Sequence, residues 1–360
     1  MVQGTPLDGA FGRCTLPFLG MEKSSMRKRF SRAIFIFLVV PWIPLNIGCG
    51  YITKNEKHQV YSRPKYGQDR FVTVHGHNIH YVEAGKGQPI LLIPGAWSTY
   101  RYWNRVMPFL SKQYRTLALD YLGVGDSDKP RSGFGYTVEE QADLIAGMME
   151  TLQISKIHIA GTSYGGGIAL NLAARYSDRV GKIIVIEGNG MKHKKMPHRP
   201  MKDLLRWPLV GEIPISATRS GLLDKMIARL VMRKAWYPLS DQEKKEIVEI
   251  VSQSNKTASR VSWYHISRTL VTSKDFAEEA KTIQVPILYL YGENSDYRDM
   301  AETNAEFLKT HLPQVEVFCL KDGIHNLELQ KPEKVAKFIL DFLSKNQPNS
   351  LATNTSLSGY

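Results

Sequence analysis

The run Ile157-His158-Ile159-Ala160-Gly161-Thr162-Ser163-Tyr164-Gly165-Gly166-Gly167 sets a serine at the centre of a G-x-S-x-G pattern, with the helix-like stretch Ile168 to Tyr176 after it. A strand that enters a helix through one residue needs a turn so sharp that this residue takes a strained backbone angle. Side chains two positions to either side would collide there, and the glycines at 161 and 165 remove the collision. Ser163 is therefore a candidate nucleophile. A serine hydroxyl is weakly nucleophilic near neutral pH, so it needs a base within hydrogen-bond reach and a third group that fixes the tautomer of the base. The glycine run could instead cradle a phosphate, but no Lys-Ser or Lys-Thr pair follows Gly167, and the nucleotide reading is poor. His75, His77 and His80 are spaced as metal ligands can be; without an acidic or thiol companion they read as the turn and solvent side of a hairpin.

The elements that must position Ser163 are visible as apolar patterns. Phe71 to Val74 and Ile79 to Val82 alternate about a His-Gly-His-Asn turn, which predicts an antiparallel hairpin. Unbroken apolar runs at Ile90 to Ile93, Thr116 to Leu119, Ile157 to Ala160, Ile183 to Ile186 and Ile287 to Tyr291 predict buried strands, with Val315 to Leu320 as a last one. Helical patterns alternate with them. Thr137-Val138-Glu139-Glu140 opens one with a capping box, and Pro332 opens another. This order predicts an α/β fold, with a mostly parallel central sheet, helices on both faces and an inserted helical cap. By residue number, 1–50 reads as a signal or anchor segment, 51–69 as a linker, 70–187 and 285–345 as two parts of one core, 188–284 as the cap, and 346–360 as a disordered tail.

The chain has 360 residues, a formal charge of +13, 43% hydrophobic and 22% charged residues, which excludes a disordered chain and a multi-span membrane protein. Basic residues concentrate between Met191 and Lys234, against only Asp203, Glu212 and Asp224. Such a stretch is either a solvated face or a surface for anionic lipid or acidic partners. No nucleic-acid motif accompanies the charge, so nucleic acid is not an expected partner. Arg27-Lys28-Arg29 and Arg32 precede the apolar stretch Ala33 to Ile47, and a positive flank before a short apolar core describes a signal peptide better than a spanning helix. Gly48-Cys49 resembles the processing site of bacterial lipoproteins. Export to the cell envelope or a membrane anchor is the expected localisation, with Cys49 as the acylated residue, and secretion is the second reading. Loss of everything before Cys49 would leave Cys49 and Cys319, too few for a disulfide framework.

Four segments together resemble the α/β-hydrolase family: Pro94-Gly95-Ala96-Trp97, Asp120-Tyr121-Leu122-Gly123-Val124-Gly125-Asp126-Ser127, the serine elbow, and Gly323-Ile324-His325 with Pro332 beyond it. They occur in family order across Phe71 to Leu343. The resemblance implies His325 as the base, since of ten histidines it alone lies between the last strand and the last helix. For the acid, the family's usual aspartate position after Gly292 holds Ser295. The sequence offers Asp296 first, Glu187 at the end of the sixth strand second, and Glu293 third. Backbone N–H groups of Ala96 and Tyr164 are the implied oxyanion hole, with Trp97 as an alternative to Ala96. A serine at the elbow disfavours epoxide opening and halide displacement, for which relatives use aspartate.

The expected function is that of a serine hydrolase of carboxylic esters, lipase- or esterase-like, acting through an acyl-enzyme without metal or organic cofactor. A carbon–carbon bond hydrolase or an acyltransferase on the same triad is the alternative within enzymes, and a noncatalytic ligand-binding relative is the alternative outside them. The expected partners are a small-molecule or lipid ester and an anionic membrane surface.

Overall fold

The computed structural model describes residues 64–188, 200–272 and 275–345. The leader with Cys49, most of the linker, part of the segment after Gly188 and the tail from residue 346 lie outside the described residues. Strands β1 (Gln68–Val74) and β2 (His77–Ala84) form the expected hairpin. Its turn places His75 and Gly76 at φ 47° and 79°, the mirror-image turn that matches strand twist. β1 begins two positions inside the stretch read as linker.

Strands β3 (Pro89–Ile93), β4 (Arg115–Asp120), β5 (Ile157–Thr162), β6 (Val180–Ile186), β7 (Ile287–Gly292) and β8 (Val315–Leu320) complete an eight-stranded sheet in the order β1-β2-β4-β3-β5-β6-β7-β8. β2 pairs antiparallel with β4, and every pair from β4 to β8 is parallel. The chain runs from β3 to β4 on one side and then returns to place β5 on the other. The crevice of such a sheet opens at the carboxyl ends of the strands flanking that reversal, here the ends of β3 and β5.

Both faces of the sheet are covered, as unbroken apolar strands require. Leu91, Ile93, Ile159 and Val185 share one core with helices α2 (Val138–Thr151) and α3 (Tyr164–Arg175). Leu92, Ala160, Ile184 and Leu290 share the other with Met107, which opens helix α1 (Met107–Leu110), and with Val335, Ile339 and Phe342 of the last helix. Truncating a fully buried residue such as Leu92 to alanine would cost about 2–5 kcal/mol. The capping box of α2 is formed: Glu140 N–H donates to Thr137 Oγ1, and Thr137 N–H donates to Glu140 Oε2.

Between β6 and β7 the described chain is helical: α4 (Pro200–Arg206), α5 (Pro208–Arg219), α6 (Asp224–Met232), α7 (Asp241–Lys256), α8 (Arg260–Thr272) and the short α9 (Ala277–Ala280). α10 (Arg298–His311) joins β7 to β8, and α11 (Leu327–Gln330) and α12 (Pro332–Ser344) follow β8. Among the described residues no helix is long and apolar enough to cross a membrane.

Candidate active site

Ser163 stands between β5 and α3 at φ 52°, ψ −114°, outside the relaxed regions for a residue with a Cβ. Its backbone is pinned from both sides: Ser163 N–H donates to Ile186 O at 2.8 Å, and Gly167 N–H donates to Ser163 O at 3.0 Å. A Cβ at Gly161 would lie 2.2 Å from Gly165 O, and one at Gly165 would lie 2.4 Å from Ile93 O. The two glycines thus permit the close approach inferred from the sequence. Strain at one residue persists where the surrounding packing over-determines it.

His325 lies in the loop after β8, partly exposed, and its Nδ1–H donates to Glu187 Oε2 at 2.6 Å. Glu187 is fully buried at the end of β6 and has φ 47°. Its carboxylate is held from two further directions. Gly292 N–H donates to Oε1 at 2.8 Å, and Ser295 Oγ–H donates to Oε2 at 2.6 Å. With Nδ1 engaged, the remaining nitrogen, Nε2, is the one able to accept a proton. Glu328, fully buried three residues further on, has its carboxyl pushed up to about 7 by burial. That keeps a second full negative charge away from the imidazole below neutral pH.

The structure corrects the expectation for the third residue. Asp296 is exposed and pairs with Arg233 at 2.7 Å; it borders the cavity but is not the group bonded to His325. Glu293 Oε2 accepts from Asp322 N–H at 3.1 Å, also away from the imidazole. The physical reason is the sheet itself: β6 lies between β5 and β7, so Glu187 emerges between the serine strand and the loop that would have carried the aspartate. Ser295, at the family's aspartate position, donates to that same carboxylate.

Ser163, His325, Ala96 and Trp97 border one cavity of about 370 Å³. Its far wall comes from the helices between β6 and β7, through Ile227, Leu230, Val231 and Trp263. The loop after β3 is held by Tyr121, whose hydroxyl accepts from Trp97 N–H at 3.0 Å and donates to Gly95 O at 3.1 Å. Trp97 N–H is therefore committed, which favours Ala96 over Trp97 as an oxyanion donor. Tyr164 N–H opens α3 beside the serine, where helix donors lack intrahelical partners. Sequence reasoning passed over the roles of Tyr121 and Ser295. For Tyr121 the available signal was its place in the Asp120 to Ser127 motif; for Ser295 it was the departure from the family's aspartate.

His80 is not on a solvent side. It is fully buried, with Nδ1 2.8 Å from Asp120 Oδ2 and Nε2 3.0 Å from Asp69 Oδ1. Burial alone would lower its pKa, but the hydrogen bonds to Asp120 and Asp69 outweigh burial and raise the value to about 9. Burial likewise pushes Asp120 up, yet the hydrogen bond and charge of His80 bring its carboxyl below the ordinary value. Among the described residues, His80, Asp120 and Asp126 are the group with metal-like spacing. Both ring nitrogens of His80 are already engaged by carboxylates, so the ring offers no lone pair to a cation.

The alpha/beta hydrolase fold model matches residues 88–332. An uncharacterised protein of Mycobacterium tuberculosis is 34% identical over 150 residues, 39% of this chain and 43% of that protein, so the match spans less than half of the relative's length. The 2-hydroxy-6-oxo-6-(2'-aminophenyl)hexa-2,4-dienoic acid hydrolase of Metapseudomonas resinovorans is 24% identical over 283 residues, 77% of this chain and 91% of that enzyme. The crystal structure of a membrane phospholipase A, described as a bacterial virulence factor, superposes with a TM-score of 0.59 at 25% identity, covering 77% of this chain and 85% of that one. A family match that takes in both the strand-end serine and the histidine loop settles membership: the chain belongs to the alpha/beta hydrolase fold family.

Proposed function

We propose that the protein is a serine hydrolase of carboxylic esters in which Ser163, His325 and Glu187 act as nucleophile, base and orienting acid. The observation that carries this reading is the 2.6 Å contact between His325 Nδ1 and the buried Glu187, on a cavity that Ser163 also borders. Ser163 Oγ attacks the ester carbonyl while His325 Nε2 takes its proton. The negative charge that forms on the carbonyl oxygen is met by the N–H groups of Ala96 and Tyr164. The tetrahedral species collapses, the C–O bond to the alcohol breaks, and the imidazolium protonates the departing alcohol. Water then attacks the acyl-enzyme in the same way and releases the acid. Glu187 keeps the proton on Nδ1 and stabilises the imidazolium without taking its proton.

The residues supply these steps from their own chemistry. Placement at the cell envelope belongs to the same proposal and rests on the basic flank and apolar stretch before Cys49. A carbon–carbon bond hydrolase is the second reading, favoured by the coverage of the Metapseudomonas resinovorans enzyme. An acyltransferase would differ only in the acceptor that resolves the acyl-enzyme, and a ligand receptor would need no turnover.

A fluorophosphonate probe separates enzyme from receptor, with labelling expected in the native chain and lost in Ser163→Ala. A folded native chain that resists the probe would point to the receptor. Turnover of p-nitrophenyl esters is expected to exceed that of a 2-hydroxy-6-oxo-dienoate, and the reverse preference would move the assignment to carbon–carbon hydrolysis.

A further inference from the structure

Among the described residues ten large hydrophobic side chains are exposed, and eight of them lie between Trp207 and Tyr237. Scattered exposed apolar residues are ordinary, but a concentration on consecutive helices marks an interaction surface. Trp207 is 64% exposed at the start of α5, and Leu209 and Ile213 are 83% and 68% exposed within it. Leu222, on the four-residue connection to α6, is 84% exposed, and Met226 and Leu230 of α6 follow. These helices already bury another face, through Gly211 and Ile215 of α5 and Ala228 and Met232 of α6. Packing therefore does not account for the outward apolar residues.

The charges interleaved with them are basic. Lys225 and Arg229 are exposed on α6, and Arg206 and Arg219 are exposed about α5. The acidic residues nearby are mostly spoken for. Asp224 is buried and accepts from Asn255 Nδ2 at 2.7 Å, and Glu212 pairs with Arg219 and Arg260; Asp203 is exposed. Apolar residues that enter an interface, interleaved with cations, are the pattern of helices lying in the headgroup layer of an anionic bilayer.

We propose that α5, the connection at 220–223 and α6 dock on an anionic lipid bilayer. Trp207, Leu209, Ile213 and Leu222 enter the boundary between headgroups and acyl chains, and Arg206, Lys225 and Arg229 meet headgroup phosphates. α6 also borders the cavity through Ile227, Leu230 and Val231, so docking brings a cavity wall to the lipid and gives amphiphilic acyl compounds a route to Ser163. That route rests on the ester-hydrolase reading; the docking does not.

The test uses the full chain carrying Ser163→Ala and flotation with vesicles of phosphatidylcholine, with and without phosphatidylglycerol. Binding is expected to need phosphatidylglycerol and to weaken with salt. Combining Leu209→Ser, Ile213→Ser and Leu222→Ser is expected to weaken it by about tenfold or more. Brominated phosphatidylglycerol should quench tryptophan fluorescence, and Trp207→Phe should remove part of that quenching, a readout that an anchor elsewhere in the chain cannot supply. All four side chains are exposed, and turnover of a short soluble ester by the same substitutions on intact Ser163 reports separately on the active site. Equal binding to both vesicle types with quenching unaffected by Trp207→Phe would overturn the proposal. So would a native dimer that the three serine substitutions convert to monomer, because the face would then belong to a second copy.

Discussion

Two histidines in this molecule each meet a carboxylate at hydrogen-bond distance, and they occupy opposite chemical situations. His80, between β1 and β4, has both ring nitrogens against carboxylates and no solvent exposure. His325, after β8, has Nδ1 on Glu187 and borders a cavity that Ser163 shares. A histidine–carboxylate pair is thus not in itself a catalytic device. What distinguishes the two is whether one ring nitrogen is left to exchange a proton.

Removal of each ring should change a different quantity. Ser163→Ala or His325→Ala is expected to lower kcat for a p-nitrophenyl ester by about 10⁶-fold with the fold retained, read by steady-state kinetics and circular dichroism. Glu187→Gln should lower kcat by about 10⁴-fold, while Asp296→Asn should change it by no more than about twofold; the opposite ranking would return the acid to Asp296.

His80→Asn is expected to cost about 3–5 kcal/mol in denaturant unfolding, since it leaves Asp120 buried without its counter-charge, with little change in kcat for the remaining folded enzyme. The pH dependence sharpens the same point. Because the pKa of His80 is raised from 6.5 to about 9 on folding, its stabilisation is fully present below 6.5 and is lost as pH rises through about 9. Unfolding midpoints measured across that window should fall in the native chain and stay flatter in His80→Asn. A smaller loss is expected from Tyr121→Phe, which removes the two hydrogen bonds that Tyr121 makes to the loop of Ala96 and should lower kcat by about tenfold with KM nearly unchanged.

The sheet was legible because each buried strand is a compact apolar run, and the elbow was legible because two glycines bracket a serine. His325 was legible through its place between the last strand and the last helix. Glu187 was legible only as the second candidate for the acid, because the sequence separates it from His325 by 138 positions and the order of parallel strands brings them together. His80 was misread because alternation presumes one solvated face. β2 is paired on both edges and buries Ile79 through Val82 as an unbroken run. The exposed apolar residues of α5 and α6 carried no signal at all in the sequence, since they look the same as residues that pack inward.

The hydroxyl of Ser295 and the ring of His325 converge on one oxygen of Glu187. Two donors on a single atom fix the direction in which the carboxylate points as well as its charge, so any rotation of the Glu187 side chain breaks both hydrogen bonds at once.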